Sequence, residues 1–303
     1  MDKGILTISI DLELGWGYHD LGNYDRFSNG LTERSYIDKI LTILEKHRVE
    51  ITWAIVGHLF LEKCSGIHFP ELYDREWFSS DPGTDLNQDP LWYGSDIIDK
   101  ILQSTENHDI GSHSFSHIDY SKCSREQVEA DIKECQRLAA NYGIRLESFV
   151  FPRNVVGNLE ILRNNGFKIF RGKREDRFYH VIPGGRFIEA LIYSINGPPL
   201  FSILVEEGLL NIPGSIHFIP HNKGVQTRII QKILSRGLDI AVKEKKILHI
   251  WAHLFDFRNQ DSFIILDELL KKASSYREKG LLEIKTMNDI SKSYYMVENK
   301  NDN

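Results

Sequence analysis

Asp11 and Glu13 stand one residue apart at the end of the apolar run "ILTISIDLE". In a strand, residues i and i+2 point to the same side, so these two carboxylates crowd together. Paired acids cost Coulomb energy unless a cation or a proton relieves them. A partner is available in "DIGSHSFSHIDY", where His113 and His117 lie four apart directly after an apolar run. In a helical turn, i and i+4 side chains face the same way, so both imidazoles could reach one ion. Glu13, His113 and His117 then make a two-histidine, one-carboxylate set, common in catalytic sites for zinc and other divalent metals. Such an ion lowers the pKa of bound water to about 7 and polarises a carbonyl oxygen. On this reading Glu13 binds the metal, and Asp11 takes the proton from the attacking water.

Two further stretches end in groups suited to the same chemistry. In "FVFPRNVVG", Arg153 is a fixed positive charge able to hold an ionised Asp11 and depress its pKa. In "KILHIWAHLFDF", His249, Trp251 and His253 alternate onto one side of a strand. A histidine at a strand's C-terminal end can protonate a leaving group, since its unperturbed pKa is about 6.5. His253 is the better placed, with Trp251 as a pocket wall; His249 lies deeper and reads as a hydrogen-bonded core residue. Asn154, beside Arg153, and Arg171, which ends "FKIFRG", are candidate substrate contacts. Arg171 could bind a carboxylate or phosphate on the substrate, or equally form a structural salt bridge.

Other features carry less. His217 and His221 repeat the spacing of four, but Pro213 and Pro220 argue against a helix, so the segment reads as a loop bordering the site. Trp77, Phe78, Trp92 and Tyr93 could stack on a sugar or form a satellite core under a long loop. His19, His47, His58, His68, His108 and His180 show no metal-ligand spacing and read as ordinary surface or core residues.

Residues placed so exactingly need a rigid frame. Apolar runs predict strands over 5–11, 51–56, 109–113, 147–151, 167–171, 209–212, 247–253 and 281–284. Helical periods between them predict helices over 33–47, 95–103, 125–142, 159–164, 227–243, 262–278 and 286–296. Ser124 with Gln127 three places on resembles a capping box, and Gly143, Gly166 and Gly280 sit where helices should stop. This alternation implies an α/β fold with a mostly parallel sheet, closed or nearly closed into a barrel. The C-terminal ends of all strands then share one face, where the acids and histidines can meet. Two stretches break the rhythm: 64–94, an expected insertion over one end, and 172–199, expected to be irregular. The last six residues, "ENKNDN", are expected to fray. With no repeat or linker, residues 1–303 read as one catalytic domain.

Composition narrows the setting. The 303 residues are 41% hydrophobic and 26% charged, ordinary for a globular protein, with a net charge of −6 and no basic tract. Nucleic acid and anionic membrane are therefore poor partners, and no segment approaches the roughly 18 apolar residues of a membrane span. Three cysteines without C-x-x-C spacing, and no secretory signal pattern, suggest a reducing, cytoplasmic setting. Homo-oligomerisation is left open.

Taken in order, these motifs resemble those of the polysaccharide deacetylase superfamily (the NodB homology domain, carbohydrate esterase family 4). "SIDLE" stands where the family usually has Thr-Phe-Asp-Asp-Gly, "HSFSH" matches its His-Ser/Thr-x-x-His, "FPRN" replaces Arg-x-Pro-Tyr, and "WAH" corresponds to Leu-x-His. The resemblance covers roughly residues 5–257, and "HSFSH" is its most specific part. It implies a distorted parallel (β/α)7–8 barrel and one divalent ion, zinc first, with cobalt, nickel or iron able to use similar ligands. It also implies roles: Asp11 as base, Glu13, His113 and His117 as metal ligands, Arg153 as the orienter of Asp11, and His253 as general acid. A backbone N–H just after Arg153 would help stabilise the oxyanion. The aromatic of the third motif is missing, and Asp256 or Asp119 are the candidates for the unplaced acid that tunes His253. The implied reaction is removal of an acyl group, most readily acetyl, from an N-acylated amino sugar or intracellular glycan precursor. Alternatives are hydrolysis of a small cyclic imide or ureide, and a catalytically silent carbohydrate-binding homologue.

Overall fold

The computed structural model describes residues 2–21, 31–68, 75–173, 185–219 and 225–301. Its frame is one ten-stranded sheet. The strands are β1 (Gly4–Leu12), β2 (Thr52–Ile55), β3 (Asp109–Ser112), β4 (Ser148–Val150), β5 (Ile169–Arg171), β6 (Leu204–Glu206), β7 (Leu209–Asn211), β8 (Ile216–His217), β9 (Ile247–His253) and β10 (Leu282–Ile284). The order is β6-β7-β5-β4-β3-β2-β1-β9-β8, with β10 added beside the start of β1. All pairs are parallel except the β6–β7 hairpin. Closure comes from one stretch of chain. β7 pairs with β5 and β8 pairs with β9, so residues 209–217 touch both ends of the parallel array and carry the chain across the gap. The result is the expected distorted parallel barrel.

Helices α1 (Leu31–His47), α2 (Ser95–Leu102), α3 (Arg125–Ala140), α4 (Leu159–Asn164), α5 (Gly185–Asn196), α6 (Val225–Glu244), α7 (Gln260–Glu278) and α8 (Met287–Asn301) accompany the sheet. Alternation along β1 explains the layering. Leu6, Ile8, Ile10 and Leu12 belong to the outer core with Ile37, Ile40 and Leu44 of α1 and Leu266 and Leu269 of α7. Ile5 points inward, into a smaller apolar cluster with Val150, Ile169, Ile247 and the α8 residues Met287 and Ile290, which plug the barrel floor. Above that plug the inward positions Ser9 and Asp11 become polar toward the strand ends, and both are buried. Among the described residues no helix is long and apolar enough to cross a membrane.

Most elements lie where periodicity placed them, and Ser124 and Gln127 do form a capping box at α3. Three differ. α5 occupies Gly185–Asn196, within the stretch expected to be irregular. β6 and β8 escaped notice because strands of three and two residues are set by their pairing partners more than by their own pattern. α8 runs to Asn301, so part of the tail expected to fray is helical.

Candidate active site

Register delivers the first convergence. Asp11 of β1 is the pairing partner of His253 on β9 and of Ala54 on β2. Neighbours at the same register share a face, so Asp11 and His253 meet at the strand ends, with His253 Nε2 4.0 Å from Asp11 Oδ2. The chain leaves strand geometry at Glu13 (φ −117°, ψ −35°) and turns into a short 3-10 segment, Leu14–Gly17. That turn swings the longer glutamate side chain back over the mouth. Its Oε1 lies 2.9 Å from His113 Nε2, 3.2 Å from His117 Nε2 and 3.7 Å from His253 Nε2. The carboxylate folds against Gly17, where a Cβ would stand 2.0 Å from Oε2. Gly17→Ala is therefore expected to displace Glu13 and weaken divalent-ion binding by roughly 10-fold or more, in the range of outer-shell changes. Calorimetric titration with zinc checks it, and unchanged affinity would refute the placement.

His113 and His117 converge, but not through the helical turn expected. The five residues form a loop in which Ser114 and His117 adopt left-handed backbone (φ 61° and 64°). Asp131 on α3 holds this loop: its carboxylate accepts the Phe115 N–H at 2.9 Å and the Tyr120 hydroxyl at 2.6 Å. His113 Nδ1 donates to Val150 O at 2.7 Å, which leaves Nε2 with its lone pair toward Glu13. His117 is 3% exposed, yet neither of its ring nitrogens makes a hydrogen bond. A buried imidazole without hydrogen bonds, aimed at a carboxylate beside a second imidazole anchored on a carbonyl, is the donor set of a two-histidine metal site. The residues fit a divalent ion.

Arg153 does not hold Asp11. It sits at φ 56° in the turn Pro152–Asn154, and its guanidinium pairs with Asp20. The counter-charge on Asp11 is Arg171 from β5, reaching across the barrel with Nη1 to Oδ1 at 2.8 Å and Nη2 to Oδ2 at 2.6 Å. Arg171 is 1% exposed and fully engaged, so it is not open to a substrate carboxylate or phosphate. A chain of hydrogen bonds fixes it. Nη1 donates to Ser9 Oγ at 2.9 Å, and Ser9 Oγ lies 2.9 Å from His249 Nε2. His249 Nδ1 is anchored 3.0 Å from Ile212 O. Burial, with Arg171 nearby, pushes His249 down to about 3, so it stays neutral and accepts the Ser9 proton. Asn154 Oδ1 accepts from Arg171 Nε at 3.3 Å, so Asn154 steadies Arg171. The backbone N–H groups of Asn154 and Val155 both close the turn, onto Phe151 O and Pro152 O. The oxyanion donor expected just after Arg153 is therefore already spent.

Trp251 is packed within this network: His217 stacks on it at 3.9 Å and the Arg171 guanidinium lies 4.7 Å from its ring centre. His217, on β8, makes the contact that sequence spacing undervalued. Its Nε2 donates to Asp256 Oδ2 at 2.8 Å and sits 3.2 Å from His253 Nδ1. Asp256 also accepts the His253 backbone N–H at 2.8 Å, with Oδ2 3.4 Å from the ring Nδ1. Asp256, one of the two candidates for the tuning acid, is thus at His253, whereas Asp119 caps the turn Tyr120–Lys122 and accepts the Ser121 N–H. His221 and His180 lie outside the described residues. Phe78, Trp92 and Tyr93 are buried in the main core rather than in a satellite one, and Trp77, packed against it, donates its indole N–H to Ser116 O at 2.8 Å.

The electrostatics divide the labour. Burial alone would raise Asp11, but Arg171, His113 and His253 hold it below the ordinary carboxylate value. Burial likewise opposes Glu13, which the neighbouring His117, His253 and His113 imidazoles hold well below its usual value. Burial would lower His253, yet Glu13, Asp256 and Asp11 hold it up at about 9. Two ionised carboxylates and a protonated imidazole thus face one mouth.

Residues 23–167 match the sequence model of the polysaccharide deacetylase family. That span includes "HSFSH" and Arg153 but leaves out Asp11, Glu13, Arg171 and His253. No curated relative matches the chain by sequence. Among solved structures, a protein described as a polysaccharide deacetylase from Mycobacterium smegmatis aligns with a TM-score of 0.64 at 13% identity, covering 98% of this chain and 92% of its own. One from Pseudomonas aeruginosa PAO1, also described as a polysaccharide deacetylase, gives 0.63 at 15% identity over 97% and 92%. Puue allantoinase gives 0.63 at 15% identity over 96% and 90%.

Proposed function

We propose that this chain, whose residues 23–167 match the polysaccharide deacetylase family, is a metal-dependent amide hydrolase removing an acyl group, acetyl first, from an N-acylated amino sugar or glycan precursor. The observation that carries this reading is the meeting of two carboxylates with separate partners, Asp11 on Arg171 and Glu13 on His113 and His117, beneath His253.

Glu13, His113 and His117 would hold one divalent ion, with zinc the natural first choice. The ion supplies Lewis acidity, lowering the pKa of a water to about 7 and polarising the scissile carbonyl. Asp11, kept ionised by Arg171, accepts the proton from the attacking water. His253, charged and anchored by Asp256, delivers a proton to the departing amine. Burial of Asp11 and Glu13 keeps bulk water away, so these charges act in a low-dielectric setting.

The zinc-loaded protein is expected to release acetate from N-acetylated amino sugars and their oligomers. Turnover only of cyclic imides or ureides would favour the second reading, which uses the same residues and the fold shared with Puue allantoinase. No turnover of either class, with zinc bound, would favour a binding protein. The pH profile tests His253. An acid must be protonated to act, so activity falls as pH rises through its pKa. An ion on Glu13 weakens the negative field around His253, so the alkaline limb is expected between about 6.5 and 9. The residual activity of His253→Ala should lack that limb; an unchanged limb removes His253 as the acid.

A further inference from the structure

Outside the mouth, four side chains with ligand atoms converge at the base of the insertion. His58, in the turn after β2, and Asp81 each have fully buried side chains, and that of His68 is 7% exposed. His58 Nε2 lies 3.1 Å from Asp81 Oδ2, His68 Nε2 lies 2.6 Å from the same oxygen, and Cys64 Sγ is 3.8 Å from His68 Nε2. One ligand atom from each residue falls within 4.8 Å of all the others. Sequence spacing does not single out His58 and His68, because the four ligands come from a turn and two loops and only Cys64 and His68 lie close in the chain.

Hydrogen-bond accounting argues that this cluster is more than a packed polar knot. His58 Nδ1 lies 3.2 Å from Trp92 O, an acceptor only, so Nδ1 carries the hydrogen. In the neutral ring, Nε2 then presents a lone pair to Asp81 Oδ2, itself an acceptor that His68 already approaches. Two lone pairs face each other in a dry site, which a cation between them resolves. The outer contacts are those of metal ligands: a carbonyl behind His58, the Gly83 N–H at 3.0 Å on Asp81 Oδ1, and the Gly66 N–H at 3.3 Å on Cys64 Sγ. A tetrahedron with zinc bonds of about 2.0–2.3 Å has edges of roughly 3.3–3.8 Å. Three of the six edges here measure 2.6–3.8 Å and all lie within 4.8 Å, so on binding an ion the His68–Asp81 edge would open by somewhat under about 1 Å.

We infer that His58, Cys64, His68 and Asp81 form a second metal site, for zinc or another borderline divalent ion, that staples the insertion to the barrel. Four protein ligands leave no open position, so the role is structural. The staple also reaches the mouth. His58 N–H donates to Phe115 O and Gly57 N–H to Ser114 O, both at 2.8 Å, on the loop between His113 and His117. The His58 ring packs on Trp16, 4.5 Å away, in the turn that follows Glu13.

Metal analysis of the zinc-grown protein is the test. The unaltered chain is expected to carry two ions, the His113→Ala/His117→Ala variant one, and the Cys64→Ser/His68→Ala variant one. A single ion that disappears in the first variant and persists in the second would overturn the inference. Cobalt loading gives an independent readout that needs no altered fold. A thiolate-to-cobalt charge-transfer band should appear in the unaltered protein and persist in His113→Ala/His117→Ala, the variant that empties only the mouth. Its absence from the fully cobalt-loaded unaltered protein would equally overturn the site.

Discussion

Arg171→Met is expected to lower kcat/KM by roughly 10²–10⁴-fold, the range associated with a misplaced general base. It should also cost about 3–5 kcal/mol of stability at neutral pH, because it leaves the buried Asp11 carboxylate without its partner. Arg153→Ala should cost under about 1 kcal/mol, since its pair with Asp20 is partly exposed. The sign of the pH dependence separates an electrostatic role from mere packing. With Arg171, the Asp11 pKa lies below its unfolded value, so the pair's contribution is present above about pH 4 and lost as pH falls. Without Arg171, Asp11 loses the strongest group offsetting its burial, so its pKa rises and the penalty for keeping it ionised grows as pH rises toward neutrality. The stability difference between the two proteins should therefore widen from pH 4 to 7 in urea titrations. The acid limb of the kcat/KM profile should shift upward in the variant. A pH-independent difference, or an equal loss in Arg153→Ala, would remove Arg171 as the residue that positions the base.

Glu13→Asp, a one-methylene change, is expected to abolish stoichiometric zinc binding and with it roughly 10³-fold or more of the activity. The usual family residue is an aspartate, so substitution by it tests geometry rather than charge. Here the carboxylate reaches within 2.9 Å of His113 Nε2 and 3.2 Å of His117 Nε2 only because the chain turns at Glu13 and its longer side chain folds back over Gly17. Shortening it withdraws the oxygens by about one bond length of 1.5 Å, more than the tolerance of a coordination site. Glu13→Gln keeps the reach and loses the charge, and should bind weakly but measurably. Metal content after gel filtration, with zinc titrations of both variants, checks the order. Tighter binding by the aspartate variant would mean that the turn at Glu13 does not set the ligand's reach.

The parts of the site legible in the sequence were those carried by short spacings on strong strands. Asp11, Glu13, His113, His117 and His253 each end or follow a long or well-patterned apolar run, and in a parallel barrel such ends share one face. Position along a strand therefore translated into position in space. Even the incorrect detail, a helical turn between the two histidines, did not alter their convergence, because a five-residue loop anchored by Asp131 brings them together as well.

What only the tertiary structure decided were the contacts across the barrel. Arg153 follows β4 and Arg171 ends β5, and no spacing rule ranks them. The choice depends on which side chain points through the interior, and the left-handed turn at Arg153 turns that residue out to Asp20. His217 gained its contact with Asp256 and His253 because residues 209–217 span the two ends of the sheet. The Cys64–His68 cluster assembled because a loop folded back on the turn after β2. Strand periodicity is a local property, and it settled the frame and the face on which the candidate catalytic groups meet. Counter-charges and ligand partnerships between residues far apart in sequence depend on sheet curvature and closure, which the local pattern does not encode.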